Sequence, residues 1–600
     1  MTRYVVIGAG AVGATVAAQL HLAGRPVTLI ARGDHLDALR TKGLRYVRPQ
    51  ETQVIDVPVA AGPDEVELRR DDVLVVATKS QDTEDVLRTW AWQPVAGSTA
   101  ASELPVVLLQ NGLENDRAAL RRFAGVIGAV VWMPSSHLEP GEVVAPSPGA
   151  LWLGAYPGGG HPRLAAIAED LAAARFQVEV VPDIRHWKAG KLVGNTVNVL
   201  DALYRPSELR AAAARLVKQE ARTVLGADDF VPAVDLGEPI RRSGSSTWQS
   251  LRRGAAPETD FLNGEVVLQA RLSGLGAPYN AALTERIHRA AGVAPGSLDD
   301  ADLVATLPDL PRRAVLADAA ELHALISAGQ APVLLDVRWA LGDPDGRDHY
   351  RAGHLPGAVH VDLDTQLAAP PGPTGRHPLP ALGDLQAAAR SWGVTARRPV
   401  VVYDDNGGTA AARAWWLLRW AGLDDVRILD GALSSWRARG FPLSTGDEQA
   451  AAGDVVLTGG RLPTLTADEA AALAETGVLL DARAAERYRG EVEPVDPRAG
   501  HIPGARSAPT AHNLKDGTFL PTGELRKKYG DLSGSEVGVY CGSGVTAAHE
   551  IAALAIAGIP AALYPGSWSA WSADPDRPVA TGEEGPRSGR QHPPLRKGRR

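Results

Sequence analysis

The chain has 600 residues, 45% of them apolar and 22% charged, with a formal net charge of −8. That length exceeds what one hydrophobic core serves, so several domains are expected, and the acidic balance gives no electrostatic reason to expect nucleic acid. A single cysteine excludes an internal disulfide, no apolar run reaches the roughly 18 to 20 residues of a membrane-spanning helix, and MTRYVVIGAGAVG enters a strand pattern with no cleavable signal, so a cytoplasmic protein is expected.

The first predicted elements lie in YVVIGAGAVGATVAAQLHLAGRPVTLIAR, which reads strand, glycine turn, helix and a second strand ending at Ile30. Gly8, Gly10 and Gly13 stand in that context as G-x-G-x-x-G, a spacing that lets a pyrophosphate approach the helix N-terminus; a purely structural turn is the alternative. An NAD enzyme places Asp or Glu after the second strand to hold the ribose diol, whereas this chain has Arg32, a cation suited to a 2′-phosphate, so NADP is the expected cofactor. Later strands run into VLVVATKSQDT and VVLLQNGLEND, which puts Lys79 and Asn111 at strand ends on the cofactor side. After residue 184 the pattern turns helical. In HWKAGKLVGNTVNVLDAL the spacing places Lys191, Asn195 and Asn198 on one helix face, among apolar neighbours that can lower a lysine pKa and fit it to donate a proton.

The order of these residues resembles the ketopantoate reductase family, NADP-dependent 2-dehydropantoate 2-reductases, over residues 1 to about 296. The resemblance implies reduction of a 2-oxo acid, with Lys191 protonating the carbonyl oxygen and Asn111 touching both nicotinamide and substrate. It further implies Asn195 as a substrate-side partner, with Asn198 the displaced second asparagine. Ser246 in SGSSTWQS takes the substrate carboxylate, and Glu258 in PETDFLNG takes the substrate hydroxyl. A Rossmann domain over 1–180 and an all-helical substrate domain over 181–296 are expected. The stretch GVAPGSLDDADLVATLPDLPRR then reads as a connector.

The rest of the chain repeats itself at a separation near 140 residues, as two similar domains do. VLLDVRWALGDPDGRDHYRAGHLPGAVHVDL returns as VLLDARAAERYRGEVEPVDPRAGHIPGARSAP, and VVVYDDNGGTAAARAWWLLRWAG as GVYCGSGVTAAHEIAALAIAG. Both copies read as α/β with a mostly parallel sheet, over 314–445 and 457–580. Aligning Tyr403 with Tyr540 and Thr409 with Thr546 puts Asp404 opposite Cys541, so only the second copy can perform thiol chemistry. Around that sulfur, the backbone of Gly542, Ser543, Gly544, Val545 and Thr546 leads from a strand end into a helix, an arrangement that stabilises a thiolate or persulfide. A buried structural cysteine is the alternative. A cysteine phosphatase needs an arginine where Ala547 stands.

With LDGALSSW, CGSGVTA and PGSWSAW in order, residues 314 to 580 resemble the two-domain rhodanese family, the thiosulfate and 3-mercaptopyruvate sulfurtransferases. The resemblance implies that Cys541 carries sulfur as a persulfide and that Arg487 grips an anionic donor. It also implies a proton relay of Ser543, His354 and an acidic residue, Asp348 in competition with Asp343 and Asp345. His354 and His501 read equally well as structural turn residues. The second donor arginine expected from the mercaptopyruvate pattern falls on Asp496, with Arg498 out of register, and the donor stays open between thiosulfate and mercaptopyruvate. Beyond Thr581 the composition predicts a disordered basic tail.

The expectation is a bifunctional enzyme acting on a 2-oxo acid and on a small sulfur donor and acceptor, with no metal, nucleic-acid or membrane partner; the oligomeric state stays open. The alternative is a reductase whose rhodanese pair is a sulfur-relay or binding module.

Overall fold

A computed structural model of the chain describes residues 2–583 apart from 97–99, 138, 148, 231, 233–243, 291 and 397; the basic tail from residue 584 onward lies outside the described residues. The chain divides into two compact units, Met1–Leu307 and Pro308–Arg600. Among the described residues no helix is long and apolar enough to cross a membrane.

The first unit is built on an eight-stranded sheet. Its order is Gln177–Val180, Ala150–Tyr156, Gly125–Trp132, Pro105–Leu108, Asp72–Val76, Arg3–Ile7, Val27–Ile30 and Val59–Ala60. Every pairing is parallel except that of Gly125–Trp132 with Ala150–Tyr156. Strands covered on both faces must be apolar along their whole length, and Val73 to Val76 and Val106 to Leu108 are all buried. Arg3–Ile7 pairs with the next strand on one side and with Asp72–Val76 on the other, so the strand order reverses at its carboxyl end. That reversal opens the crevice in which such sheets bind ligands.

Helices follow the sheet, from Ile184–Asn195 through Glu208–Leu225 and Asn263–Leu272 to Pro278–His288, with Leu192, Val193, Leu262 and Val266 in a common core. The single helix face expected for Lys191, Asn195 and Asn198 is corrected here. Ile184–Asn195 ends at Thr196 and a new helix, Asn198–Leu203, begins after the turn. The buried Asn263 side chain takes the carbonyl of Thr196, a long-range partner that compensates the interrupted helical ladder. The connector is likewise more ordered than its composition suggests. A capping box at Asp299 starts the helix Asp300–Thr306, and Leu310–Val315 opens the second unit.

The second unit holds two parallel sheets, one per sequence repeat. The first runs Leu316–Ala317, Val426–Leu429, Val400–Tyr403, Val333–Asp336, Val359–His360; the second runs Arg506–Ser507, Val478–Asp481, Val537–Tyr540, Ala562–Leu563. The registers correspond, with Asp336 opposite Tyr403 and Asp481 opposite Tyr540. In each repeat the Asp-x-Arg motif folds back on itself: Arg338 bonds Asp336 and the Gly353 carbonyl, and Arg483 bonds Asp481 and the Gly500 carbonyl. The alanine-rich helices Ala411–Trp420 and Thr546–Ala557 pack together, and one hydrophobic core runs through both repeats. That shared core places parts of the first repeat against the thiol loop of the second.

Candidate active sites

At the reversal point of the first unit, Gly8 has φ +109° and a Cβ there would lie 2.8 Å from the Thr78 side chain, while one on Gly13 would lie 1.9 Å from the Gly8 carbonyl oxygen. Those two glycines are required by the protein's own packing. Gly10 differs, since a Cβ on it meets nothing within 4 Å. Its open face, followed by the N-terminus of Ala11–Leu22 with no side-chain cap, fits the close approach of a dinucleotide phosphate. Arg32 is exposed just after the second strand.

Across the crevice the substrate-side residues meet in pairs. Lys79 Nζ lies 2.6 Å from Glu258 Oε2, and the Ser80 backbone N–H and hydroxyl donate to Oε1 of the same carboxylate at 2.9 and 3.0 Å. Asn195 donates to the Asn111 side chain at 3.1 Å, and Asn115 donates to the Asn111 carbonyl at 2.8 Å. Lys191 Nζ sits 3.8 Å from the ring centroid of Trp132, a cation–π position. Ser246 opens the helix Ser246–Arg252; its neighbour Ser245 is the capping residue and donates to the Asn198 carbonyl at 3.2 Å. Sequence reasoning missed Ser80 and Asn115, which anchor Glu258 and Asn111, and it missed Trp132. For Ser80 and Asn115 a signal existed, since both lie within four residues of the residues they hold.

In the second unit Cys541 follows the strand Val537–Tyr540 and is 1% exposed. The Gly544 N–H donates to its sulfur at 3.1 Å, Val545 takes the position before the helix, and Thr546 opens it. The segment Ser567 to Ser569 fixes the loop from behind. Its Ser567 hydroxyl accepts the Cys541 N–H, and the N–H groups of Trp568 and Ser569 donate to the carbonyls of Cys541 and Gly542. From the first repeat comes the fully buried Arg413, which donates to the carbonyls of Gly544 at 3.3 Å and His377 at 3.0 Å. Burial pulls that guanidinium down to about 10, opposed by the negative charge of Cys541.

The expected relay is corrected. Ser543 Oγ lies 2.7 Å from Nδ1 of His377, whose Nε2 lies 3.0 Å from Asp364. Burial pushes His377 below the usual histidine range, with Asp364 opposing, so the ring is neutral and basic near pH 7. His354 does not reach Ser543. It is buried, with Nδ1 2.9 Å from the Tyr350 carbonyl and its ring stacked on Tyr350, and His501 repeats both contacts with Tyr488. Asp348 is exposed and pairs with Arg351.

Around the donor side Arg487 bonds Glu493 at 2.5 Å and Asp496 at 3.2 Å. Arg498 is spent on structure, donating to the carbonyls of Ser572 and Trp571 at the end of the helix Ser567–Ala573. In the first repeat the equivalent loop is filled by its own side chain: the buried Asp404 carboxylate accepts the N–H groups of Asn406, Gly408, Ala410 and Ala411 at 2.8 to 3.0 Å. A carboxylate thus occupies the anion cradle that the second repeat keeps for sulfur. Among the described residues no group of three or more His, Cys, Asp or Glu side chains is arranged to hold a metal ion.

Comparison with known proteins divides the chain at the same place. Residues 4–158 match the family model described as ketopantoate reductase PanE/ApbA, 183–291 its C-terminal counterpart, and 318–439 and 466–574 the rhodanese-like domain. The sequence is 50% identical over 281 residues, 45% of this chain and 98% of the relative, to a Mycobacterium tuberculosis protein named as a thiosulfate sulfurtransferase, SseB. It is 48% identical over 265 residues, 42% of this chain and 93% of the relative, to a Pseudomonas aeruginosa protein named as a 3-mercaptopyruvate sulfurtransferase. It is 27% identical over 290 residues, 46% of this chain and 93% of the relative, to the 2-dehydropantoate 2-reductase of Pyrococcus horikoshii.

Proposed function

The chain belongs to the rhodanese-type sulfurtransferases through its C-terminal half and matches the ketopantoate reductase models in its N-terminal half, and from this we propose a bifunctional enzyme that reduces a 2-oxo acid with NADPH and transfers sulfur from 3-mercaptopyruvate. The observation that carries the choice of donor is the line Asp364, His377, Ser543 beside Cys541. Thiosulfate has no proton to move. Mercaptopyruvate has one, on the sulfur to be transferred, and it must end on carbon.

The Cys541 thiolate attacks the donor sulfur, an S–S bond forms, and the C–S bond breaks with its electron pair left on the methylene carbon. Ser543 and His377 pass the former thiol proton to that carbon, which leaves as the methyl group of pyruvate, while Asp364 steadies the ring that carries the proton. The persulfide anion rests where Gly544 directs its N–H. An acceptor thiolate or cyanide then takes the outer sulfur and returns Cys541 as thiolate. The pairing of Ser543 with His377 favours this over a pure binding module, for which nothing need face the sulfur.

In the reductase half, Gly8, Gly10, Gly13 and Arg32 would hold the dinucleotide, the cation at 32 favouring a 2′-phosphate, with Lys79 and Asn111 on the nicotinamide side. When bound, the nicotinamide supplies the hydride. Lys191, held over Trp132, donates the proton to the carbonyl oxygen. Ser246 binds the substrate carboxylate, Asn195 and Asn198 line the substrate side, and Glu258, oriented by Lys79 and Ser80, accepts the substrate hydroxyl. Two assays on the full chain test the proposal: loss of NADPH absorbance with ketopantoate, and thiocyanate formation from mercaptopyruvate and cyanide. No turnover in one removes that half.

A further inference from the structure

The sulfurtransferase reading above leaves the donor's anionic end with one arginine from its own repeat, because Asp496 stands where a second is expected. We propose that Arg376, contributed by the first repeat, is the second donor-binding cation, and that Asp496 is the residue that positions it.

The geometry around Gly542, next to the sulfur, carries this inference. A Cβ built on Gly542 would lie 3.1 Å from Arg376 Nη2 and 3.6 Å from Arg487 Nη1, so both guanidinium groups border the space beside the thiol. Asp496 sits between them. Its Oδ1 takes Arg376 Nη1 and its Oδ2 takes Arg487 Nη2 at 3.2 Å. Each arginine therefore spends one Nη on the carboxylate and turns the other toward Gly542. The side chain of Asp496 is 3% exposed, while those of Arg376 and Arg487 are 25% and 17% exposed, so the cations and not the carboxylate are open to an incoming anion. The Nε atoms of both arginines are buried with no hydrogen-bond partner, which leaves donors available for a bidentate oxyanion.

The backbone of Arg376 is fixed as firmly as its side chain. Gly375 has φ +117°, and a Cβ there would lie 2.9 Å from the Gly566 carbonyl oxygen, so glycine is needed for the segment to approach the second repeat. The Arg376 N–H donates to Ser569 Oγ at 3.1 Å, and His377 reaches Ser543. Three consecutive residues of the first repeat thus close over the thiol loop. Two arginines against Asp496 and Glu493 leave the cluster balanced, which suits one carboxylate of a 2-oxo acid better than a dianion.

The test is steady-state sulfur transfer from 3-mercaptopyruvate to cyanide by the full chain, comparing wild type with Arg376→Met and Arg376→Lys. Losing one charge-assisted hydrogen bond corresponds to roughly a tenfold to hundredfold rise in donor KM for Arg376→Met, with kcat changed much less. Arg376→Lys keeps the charge and the contact with Asp496 but lacks the fork, and a severalfold rise in KM is expected. It decides the question if the methionine variant does not fold. Donor KM within twofold of wild type in folded variants overturns the role of Arg376 and leaves the sulfurtransferase reading standing. A wild-type protein that forms neither thiocyanate nor a persulfide on Cys541 removes that reading and this inference together.

Discussion

His377 Nδ1 lies 2.7 Å from the hydroxyl of Ser543, 166 residues further along the chain. The repeat that has lost its thiol therefore remains part of the site. Asp404 fills its own loop with a carboxylate, which removes one anion cradle, and Arg413, His377 and Asp364 are directed instead at the other. The two repeats have divided the work, one holding the sulfur and the other supplying the base and its support.

His377→Ala and Ser543→Ala are expected to lower mercaptopyruvate-to-cyanide turnover by roughly a hundredfold or more, the usual worth of a positioned proton-transfer group. Thiosulfate-to-cyanide turnover, in which no donor proton moves, should fall much less. His354→Gln should lower stability without altering the ratio of the two donors, because its ring serves Tyr350. Thiocyanate measured with each donor separates these outcomes; equal losses with both donors in the His377 variant would contradict the relay.

Gly544 has φ +83°, and a Cβ there would lie 2.8 Å from the Pro565 carbonyl oxygen. Gly544→Ala should swing the N–H away from Cys541 and slow persulfide formation by roughly tenfold, the scale of one hydrogen bond to a charged acceptor. Mass spectrometry after brief exposure to mercaptopyruvate reads this directly as the fraction of protein carrying one added sulfur. Cys541→Ser should carry none.

Much of this was legible without coordinates, and what was missed has a pattern. The glycine turn, the strand ends at Lys79 and Asn111, and the duplicated Tyr403 and Tyr540 loops all follow from local spacing. The histidines of GHLPGA and GHIPGA drew attention because both repeats have them, yet they are shared because both folds need a ring on Tyr350 or Tyr488. The relay histidine, in TGRHPLP, has no counterpart in the second repeat, and difference between copies was the better guide to chemistry, as at Cys541 itself. The helix break at Thr196 was invisible because its compensating partner, Asn263, is 67 residues away. The bond from Arg376 to Asp496 spans 120 residues and likewise follows only from the packing of the repeats.

In the reductase half, Arg32→Glu should shift cofactor preference from NADPH toward NADH by tenfold or more, since a carboxylate repels the 2′-phosphate and accepts the ribose diol. Lys191→Met should lower kcat by roughly a hundredfold or more with ketopantoate while leaving NADPH binding intact, because the lysine lies on the substrate side over Trp132. Fluorescence titration with NADPH separates binding from turnover. A Lys191 variant with wild-type kcat would assign the proton to another group.

Acid should loosen the second unit through His549. This ring is fully buried, with Nδ1 2.7 Å from Thr510 Oγ1, Nε2 3.2 Å from the Gly407 carbonyl of the first repeat, and Phe519 stacked at 4.5 Å. Burial pushes it down to about 4, with the Gly407 carbonyl opposing. The unfolded chain takes the same proton near 6.5, so between these values it binds more protons than the folded protein, and stability falls as pH drops from about 6.5 toward 4. Above 6.5 both states are neutral there and the contribution is flat. The gap corresponds to a loss on the order of 3 kcal/mol once pH is below the folded value. Asp336, raised to about 6 by burial, works in the opposite direction, so the contribution of His549 is read as a difference between proteins. Hydrogen exchange of the peptide covering Thr546–Ala557 should show protection decreasing from pH 6.5 to 4.5 in wild type after correction for intrinsic rates, and a shallower decrease in His549→Gln. Parallel curves for the two proteins would place the acid sensitivity elsewhere.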